Sequence, residues 1–451
     1  MPSRMPDIRA ASPTLASLVE APHTIFTCDR AAFDALSPAE CDDFRLEAAR
    51  RLVARQAERI PAVAELLDGR DPAQIERLDD LVPLLLAEDA YKSYDPRWLA
   101  EQDFAALTRW IGRFTARDYS ALDMEGCASL TEWCERILDQ TGDLICHSSG
   151  TSGTLSFVPR SQTEVDLFTD ALMWNYQSPA FGGRRLFRPG EASGYIFFTP
   201  APRRQFRITA GMHKSLERRY LTRVEGLDIF LSPEFAIAQG KLRTAARRGN
   251  IEAALADPIV AAHREEVEIH GRAMPALMEA WTRNLIENFQ GEKIIFQGTF
   301  DMAWQLALHF RSQGIANAFD PDSLFSVIGG VKDGTVLPAD WKDQFRESVG
   351  VSPSGFRLGW GMSEINGGSR LCAEGKVHFP PHLIPFQLMP GTRQPLPRSG
   401  VQRGQIAMME LVSQDNWGGM ISGDGAVIDW DSPCACGRPG PLMDPESIGR
   451  I

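Results

Sequence analysis

The sequence predicts an α/β protein with mostly parallel sheets flanked by helices, entered through a helical N-terminal region. Three observations carry that reading. Between residues 293 and 359, short apolar runs bounded by glycine alternate with segments of helical spacing, the pattern of buried strands joined by covering helices. A Ser/Gly-rich loop, Ser148 to Thr154, follows the apolar run Leu144–Cys146 and is followed in turn by a helical pattern. The N-terminal third is acid-rich, with apolar residues at helical periodicity.

Taken in order, residues 1–22 are small, polar and proline-punctuated, which predicts a flexible N-terminus. Residues 23–140 form the helical region. From Ser37 the stretch SPAECDDFRLEAARRLVARQAERIPAVAELL has a serine cap, proline at the first helical position and acids in the first turn, so one helix is expected to run through it. Leu78 to Leu86, interrupted by Pro83, and Phe104 to Trp110 continue the helical pattern, and Tyr91, Tyr94 and Trp98 are expected to pack in a core. Residues 141–451 are the main domain. There, Ser161 to Gln177 reads as a helix with a serine cap and Glu164 three residues on, placing a helix N-terminus just after the loop. Strands are predicted at Tyr195–Thr199, Lys293–Gln297, Leu324–Ile328 and Gly355–Gly359. Helices are predicted at Ala303–Gln313 and Ala339–Val349, and over Ile251–Phe289 with breaks near Pro258 and Pro275. The basic stretch Arg203 to Arg223 is either a solvated cationic face or a contact for phosphate or an acidic partner.

Composition narrows the function. A formal net charge of −12 argues against a nucleic-acid backbone as partner. No run of about 18 apolar residues is present, which excludes a membrane-spanning helix, and the first residues lack the apolar core of a signal peptide, so a cytoplasmic location is expected. Eight cysteines without dense regular spacing do not read as a disulfide framework.

The loop Ser148-Ser149-Gly150-Thr151-Ser152-Gly153-Thr154 suits phosphate, because glycines bring backbone N–H groups close to an anion and small hydroxyls donate without bulk. No Gly-Lys-Ser/Thr follows, so it is not a Walker loop. Its order of residues resembles the phosphate loop of the adenylate-forming superfamily, the acyl- and aryl-CoA ligases, which join a carboxylic acid to AMP from ATP. Where most members have a lysine after the last glycine, this chain has Leu155 and Ser156, and the nearest cation is Arg160. Which residue neutralises pyrophosphate is left open.

Three further segments resemble that family in order. Ser326 to Val331 is a strand running into Gly329, Gly330 and Val331, similar to the segment that lines the adenine pocket. Trp360-Gly361-Met362-Ser363-Glu364 resembles the Tyr-Gly-x-Ser/Thr-Glu motif, which implies Trp360 on adenine, Ser363 on phosphate and Glu364 on Mg²⁺. Ser422-Gly423-Asp424 resembles the motif whose aspartate takes both ribose hydroxyls. The resemblance therefore implies ATP or AMP and Mg²⁺ as ligands. It places Thr151, Ser363 and Glu364 nearest the chemistry and Arg450 at the edge of the nucleotide site.

Cys372, His378, Cys434 and Cys436 supply three thiolates and an imidazole, the ligand set of a closed structural zinc site, with His382 as the competing imidazole. The segments CAEGKVH and CACGR are similar to those of the phenylacetate-CoA ligase branch, which implies a zinc-pinned loop region joining the loop after Glu364 to the loop after Asp424. Gly449-Arg450 matches the opening of the family's hinge to a C-terminal lid, and the sequence stops at Ile451. The expectation is a chain without that lid, completed by a separate polypeptide or using its acceptor as acyl-protein synthetases do.

The implied activity is formation of an acyl-adenylate from an aryl or fatty acid, followed by transfer to the thiol of CoA or a carrier protein. The competing expectation is a catalytically weak nucleotide- or acyl-binding scaffold that needs a partner lid. Phe197, Phe198, Phe296 and Trp304 are either an acyl pocket or plain core, the latter being the ordinary fate of such residues.

Overall fold

The computed structural model describes residues 15–34, 36–148, 154–177, 187–329 and 336–451. The helix Pro38–Ala57 starts as its sequence requires: the Ser37 hydroxyl accepts from the Glu40 N–H, and the Glu40 carboxylate accepts from the Ser37 N–H at 2.9 Å. It does not run on to Leu67. Pro61 drives Ile60 into an extended conformation and starts a second helix, Pro61–Leu67, so the single expected helix is two. Leu78–Leu84 is 3₁₀ around Pro83, and Phe104–Ile111 is α-helical. Tyr91 and Tyr94 are buried, as expected for core residues.

Strand β1 (Leu144–His147) pairs antiparallel with β2 (Phe157–Arg160), making the Ser/Gly loop the tip of a hairpin. The helix Gln162–Tyr176 therefore follows a strand, and its N-terminus does not directly follow the loop as the sequence suggested. Ser161 caps it, but Glu164 does not close a capping box, its carboxylate being drawn into the interior.

The main sheet has six strands in the order β4-β3-β5-β6-β7-β8. Its parallel strands are β3 (Ile196–Gln205), β4 (Arg223–Leu231), β5 (Ile294–Gly298), β6 (Leu324–Ile328) and β7 (Phe356–Trp360), and β8 (Ser369–Arg370) is an antiparallel edge. Side-chain alternation divides its two faces: Phe198, Phe296 and Phe325 belong to one core with Trp304, while Phe197, Ile295 and Leu324 belong to another with Leu172 and Met173. The predicted strands and crossover helices fall here, although β3 continues past Pro200 and Pro202 to Gln205. The helix Pro258–Phe289 also passes through Pro275 unbroken. The carbonyl that this proline deprives of a partner belongs to exposed Gly271, where water can replace the missing N–H.

The C-terminal part forms an antiparallel sheet in the order β10-β11-β12-β13-β9. Its strands are β9 (Val377–His378), β10 (Leu383–Leu388), β11 (Val401–Glu410), β12 (Gly419–Asp429) and β13 (Leu442–Arg450). One apolar core joins this sheet to the N-terminal helices, from Leu18 through Leu52 and Trp133 to Ile406 and Met443. The guanidinium of buried Arg45 donates to the carbonyls of Phe379, Pro380 and Pro381, and the Gln56 amide donates to those of Ser413 and Gln414. Among the described residues, no helix is long and apolar enough to cross a membrane.

Candidate functional site

A cavity of about 340 Å³ opens where β5 and β6 end, the place at which parallel α/β sheets hold their ligands. Ser148, Ser363 and Glu364 line it together, with Gln297 to Thr299 from the end of β5 and Ile328 from the end of β6. Ser148 continues the hairpin: its N–H donates to the Ser156 carbonyl at 3.1 Å, and its Oγ accepts from the Ser156 N–H at 3.0 Å. Leu155 is wholly buried in the main core, and Thr154 is exposed. Ser149, Gly150, Thr151, Ser152, Gly153, Gly330 and Val331 lie outside the described residues. Gly329 has φ +81, a left-handed conformation that suits glycine.

Arg160, the cation nearest the loop in sequence, turns into the interior. Its side chain is fully buried, donating at 2.7 Å to Asn366 Oδ1 and at 2.8 Å to the Ser363 carbonyl, with Glu164 Oε2 at 3.5 Å. Glu164 in turn accepts from the Gln414 and Asp415 N–H groups, and its second oxygen accepts from the Asn366 amide. Glu410 accepts from the Asn366 and Gly367 N–H groups and from Ser413 Oγ. One cation and two carboxylates thus meet inside the protein, and burial pushes the Glu410 carboxyl up to about 7. This knot fixes the backbone at Ser363, one residue before Glu364. Its members lie up to 251 residues apart, and apart from the Ser161–Glu164 spacing no local pattern marks them.

Trp360, at the end of β7, is half-buried and packs edge-on to Phe379 with ring centroids 6.4 Å apart. Gly361 and Ser363 are exposed, while Met362 packs partly on the main core. Asp424 on β12 lies opposite Arg450 on β13, with the Arg450 guanidinium 3.8 Å from the Asp424 carboxylate and 2.7 Å from that of Glu88. Ser422 Oγ accepts from the Asp424 N–H at 3.0 Å. A Cβ at Gly423 would displace the outer ends of the Arg450 and Glu88 side chains. The cavity is lined by Ser148, Ser363 and Glu364 but not by Trp360, Asp424 or Arg450.

Cys372, His378, Cys434 and Cys436 do converge, their ligand atoms all within 4.8 Å of one another. Cys372 Sγ lies 3.7 Å from Cys434 Sγ, and Cys436 Sγ lies 3.4 Å from His378 Nε2. Those separations match the edges of a tetrahedron with metal–sulfur bonds of about 2.3 Å. Each of Cys372 and Cys434 heads a tight turn closed by a glycine with positive φ, Gly375 at +70 and Gly437 at +88. Burial, and then the Arg438 charge, push the His378 imidazole down to about 4, leaving it in the neutral form that binds metal. His382 is elsewhere, packed edge-on against Phe26 and Trp174. The four residues bring the loop after β8 beside the loop before β13.

The basic stretch behaves as a solvated face. Arg203 pairs with Glu217, Arg218 with Asp166, Arg219 with Asp166 and Asp170, and Arg223 with Glu225. The exception is Arg207, which is largely buried against the cavity beside His147. Phe197, Phe198, Phe296 and Trp304 are core, as ordinary packing suggested. The cavity-lining side chains that sequence reasoning missed are His147, Gln205, Arg207 and Gln297. For His147 a signal existed, an imidazole closing a buried apolar run directly before Ser148.

This architecture, a parallel sheet with flanking helices and an added antiparallel sheet, is the fold of the adenylate-forming acyl-CoA ligases. One solved structure to which the chain is similar is 2-hydroxyisobutyryl-CoA ligase, in an open conformation with 2-HIB-AMP and CoA. The two match with a TM-score of 0.50 and 15% identity over 93% of this chain and 77% of that one. ATP-bound MatB from Rhodopseudomonas palustris aligns with a TM-score of 0.36 and 16% identity over 68% of this chain and 47% of that one. A long-chain-fatty-acid-CoA ligase from Archaeoglobus fulgidus aligns with a TM-score of 0.35 and 9% identity, over 63% and 49%. The chain thus spans about half the length of these last two. No protein-family description matches the sequence, and no curated protein sequence does.

Proposed function

We propose that this chain activates a carboxylic acid with ATP, forming an acyl-adenylate that passes to the thiol of CoA or a carrier protein. The observation that carries the reading is the convergence of Ser148, Ser363 and Glu364, from two distant segments, on one cavity at the strand ends. In the step proposed, a carboxylate oxygen of the acid bonds to the α-phosphorus while the bond from that phosphorus to the α–β bridging oxygen breaks, and pyrophosphate leaves. Little covalent work falls to the protein, so its part is positioning and charge stabilisation. The loop Ser148–Thr154 offers N–H and hydroxyl donors to the phosphates, Thr151 among them. Glu364 offers a hard oxygen for Mg²⁺, which neutralises phosphate charge when bound. Trp360, Gly329, Gly330 and Val331 are assigned to adenine, Gly361, Met362 and Ser363 to the phosphate side, and Asp424 to the ribose with Arg450 beside it.

The four Cys/His residues are assigned to a structural zinc ion, which their spacing fits, and their segments favour a phenylacetate-CoA ligase-like branch acting on an aryl or fatty acid. The test is ATP–pyrophosphate exchange by the purified chain with Mg²⁺ and a panel of such acids. Acid-dependent exchange is expected, falling about a hundredfold in Glu364→Ala and Asp424→Ala, the scale of losing one aligned electrostatic partner. Full exchange in either variant would remove that residue from the site.

A further inference from the structure

Resting on that reading of the cavity, we infer that the acid accepted here is a hydroxylated carboxylic acid, whose hydroxyl is met by His147, Gln205, Gln297 and Arg207. A buried polar atom without a partner costs stability unless something satisfies it. Four such atoms belong to side chains lining this one cavity: His147 Nε2, Gln205 Oε1, Gln297 Oε1 and Arg207 Nε. His147, Gln205 and Gln297 are more than nine-tenths buried, at 5%, 7% and 7% exposure.

Chemistry decides what can satisfy them. His147 Nδ1 lies 2.8 Å from the Ser148 carbonyl, which can only accept, so Nδ1 carries the proton and Nε2 presents a lone pair. Burial first, and then the Arg207 charge, push this imidazole down to about 4, so it stays neutral and accepting at ordinary pH. The Gln205 amide N–H₂ is already used, donating to the Pro202 carbonyl and to Thr209 Oγ1, which leaves its carbonyl oxygen without a partner. The His147 imidazole and the Gln205 carbonyl oxygen therefore await donors, which a fully ionised phosphate or carboxylate does not supply, while the Gln297 amide can turn to meet a donor or an acceptor. An ammonium group would donate, but the Arg207 cation stands against it and its own Nε–H awaits an acceptor. A hydroxyl does both, donating to an imidazole or amide and accepting from the guanidinium.

The test uses matched pairs of acids, phenylacetate against hydroxyphenylacetates and hexanoate against hydroxyhexanoates, in ATP–pyrophosphate exchange by the full chain. At least one hydroxylated member should exceed its parent by tenfold or more in kcat/KM, because a site built to hydrogen-bond a hydroxyl rejects the analogue that lacks it. In His147→Phe and Gln297→Met that ratio should fall to within about threefold of unity. Both variants are read as a ratio, and if one fails to fold the other carries the test. Exchange that runs equally well or better with the parent acid in every pair overturns the inference and leaves adenylation standing. A preference that survives both variants overturns the assignment of these residues. No exchange with any acid, from folded protein, overturns the adenylation reading and this inference with it.

Discussion

Replacing Arg160 with methionine tests whether the buried knot behind the site is a paired charge network. The substitution keeps volume but removes the donors at 2.7 Å to Asn366 and 2.8 Å to the Ser363 carbonyl, and leaves Glu164 without its cation at zero exposure. Removing one partner of a buried ion pair costs about 3–5 kcal/mol, chiefly through the uncompensated charge left behind. Because Glu164 retains two backbone N–H bonds, from Gln414 and Asp415, the lower half of that range is expected. The assay is guanidinium unfolding of wild type and variant, with ATP–pyrophosphate exchange on the same samples. Since Arg160 holds the backbone next to Glu364, exchange at saturating ATP should fall by more than the folded fraction accounts for, and the Mg²⁺ concentration giving half-maximal exchange should rise. A destabilisation below about 1 kcal/mol with unchanged Mg²⁺ dependence would refute the reasoning, because that is the size expected of an exposed pair.

Glu410 gives a pH-dependent signature. Its carboxyl rises from an ordinary 4.5 to about 7 through burial, so the folded state favours the protonated form. Its contribution is therefore present below about pH 4.5 and is lost as pH rises through about 7, on the order of 3 kcal/mol in all. Glu410→Gln should flatten that loss, read as the difference in unfolding midpoint between variant and wild type at pH 5 and pH 8; an equal difference at both values would contradict it. For the Cys/His cluster, purified protein should carry about one zinc per chain by elemental analysis, and chelation or Cys434→Ser should lower its unfolding midpoint, as for other closed four-ligand sites. Metal-free protein of unchanged stability would remove the ion from the structure's account.

The parallel sheet was legible because its strands are buried on both faces. Ile294–Gly298 and Leu324–Ile328 read as short, mostly apolar runs, and glycine ends or follows each one. The antiparallel sheet was not. Strand β10 contains Pro385, and β12 and β13 are interrupted by Gly423, Asp424 and Pro445, residues that local propensity assigns to turns; long-range pairing overrides it. The chemistry-bearing motifs could be seen one at a time, because each is short and local. The structure brings the four Cys/His side chains within reach of one another and puts Ser148, Ser363 and Glu364 on one cavity. The Arg160 knot and the polar lining of the cavity stayed hidden for one reason: their partners meet only through tertiary packing, across separations such as the 206 residues between Arg160 and Asn366.

The shared core of the first helices and the last strands carries a consequence for biosynthesis. Arg45 and Gln56 find their carbonyl partners 334 to 358 residues downstream. At translation rates of about 5–20 residues per second, those partners emerge roughly 17 to 72 seconds after the helices themselves. For that interval the apolar face of Pro38–Ala57, with Phe44, Leu52 and Val53, has none of the antiparallel sheet to lie on. A nascent chain therefore carries part of that face uncovered by the sheet over most of its synthesis, and a ribosome stalled before residue 380 would hold the N-terminal helices with only one another to pack on.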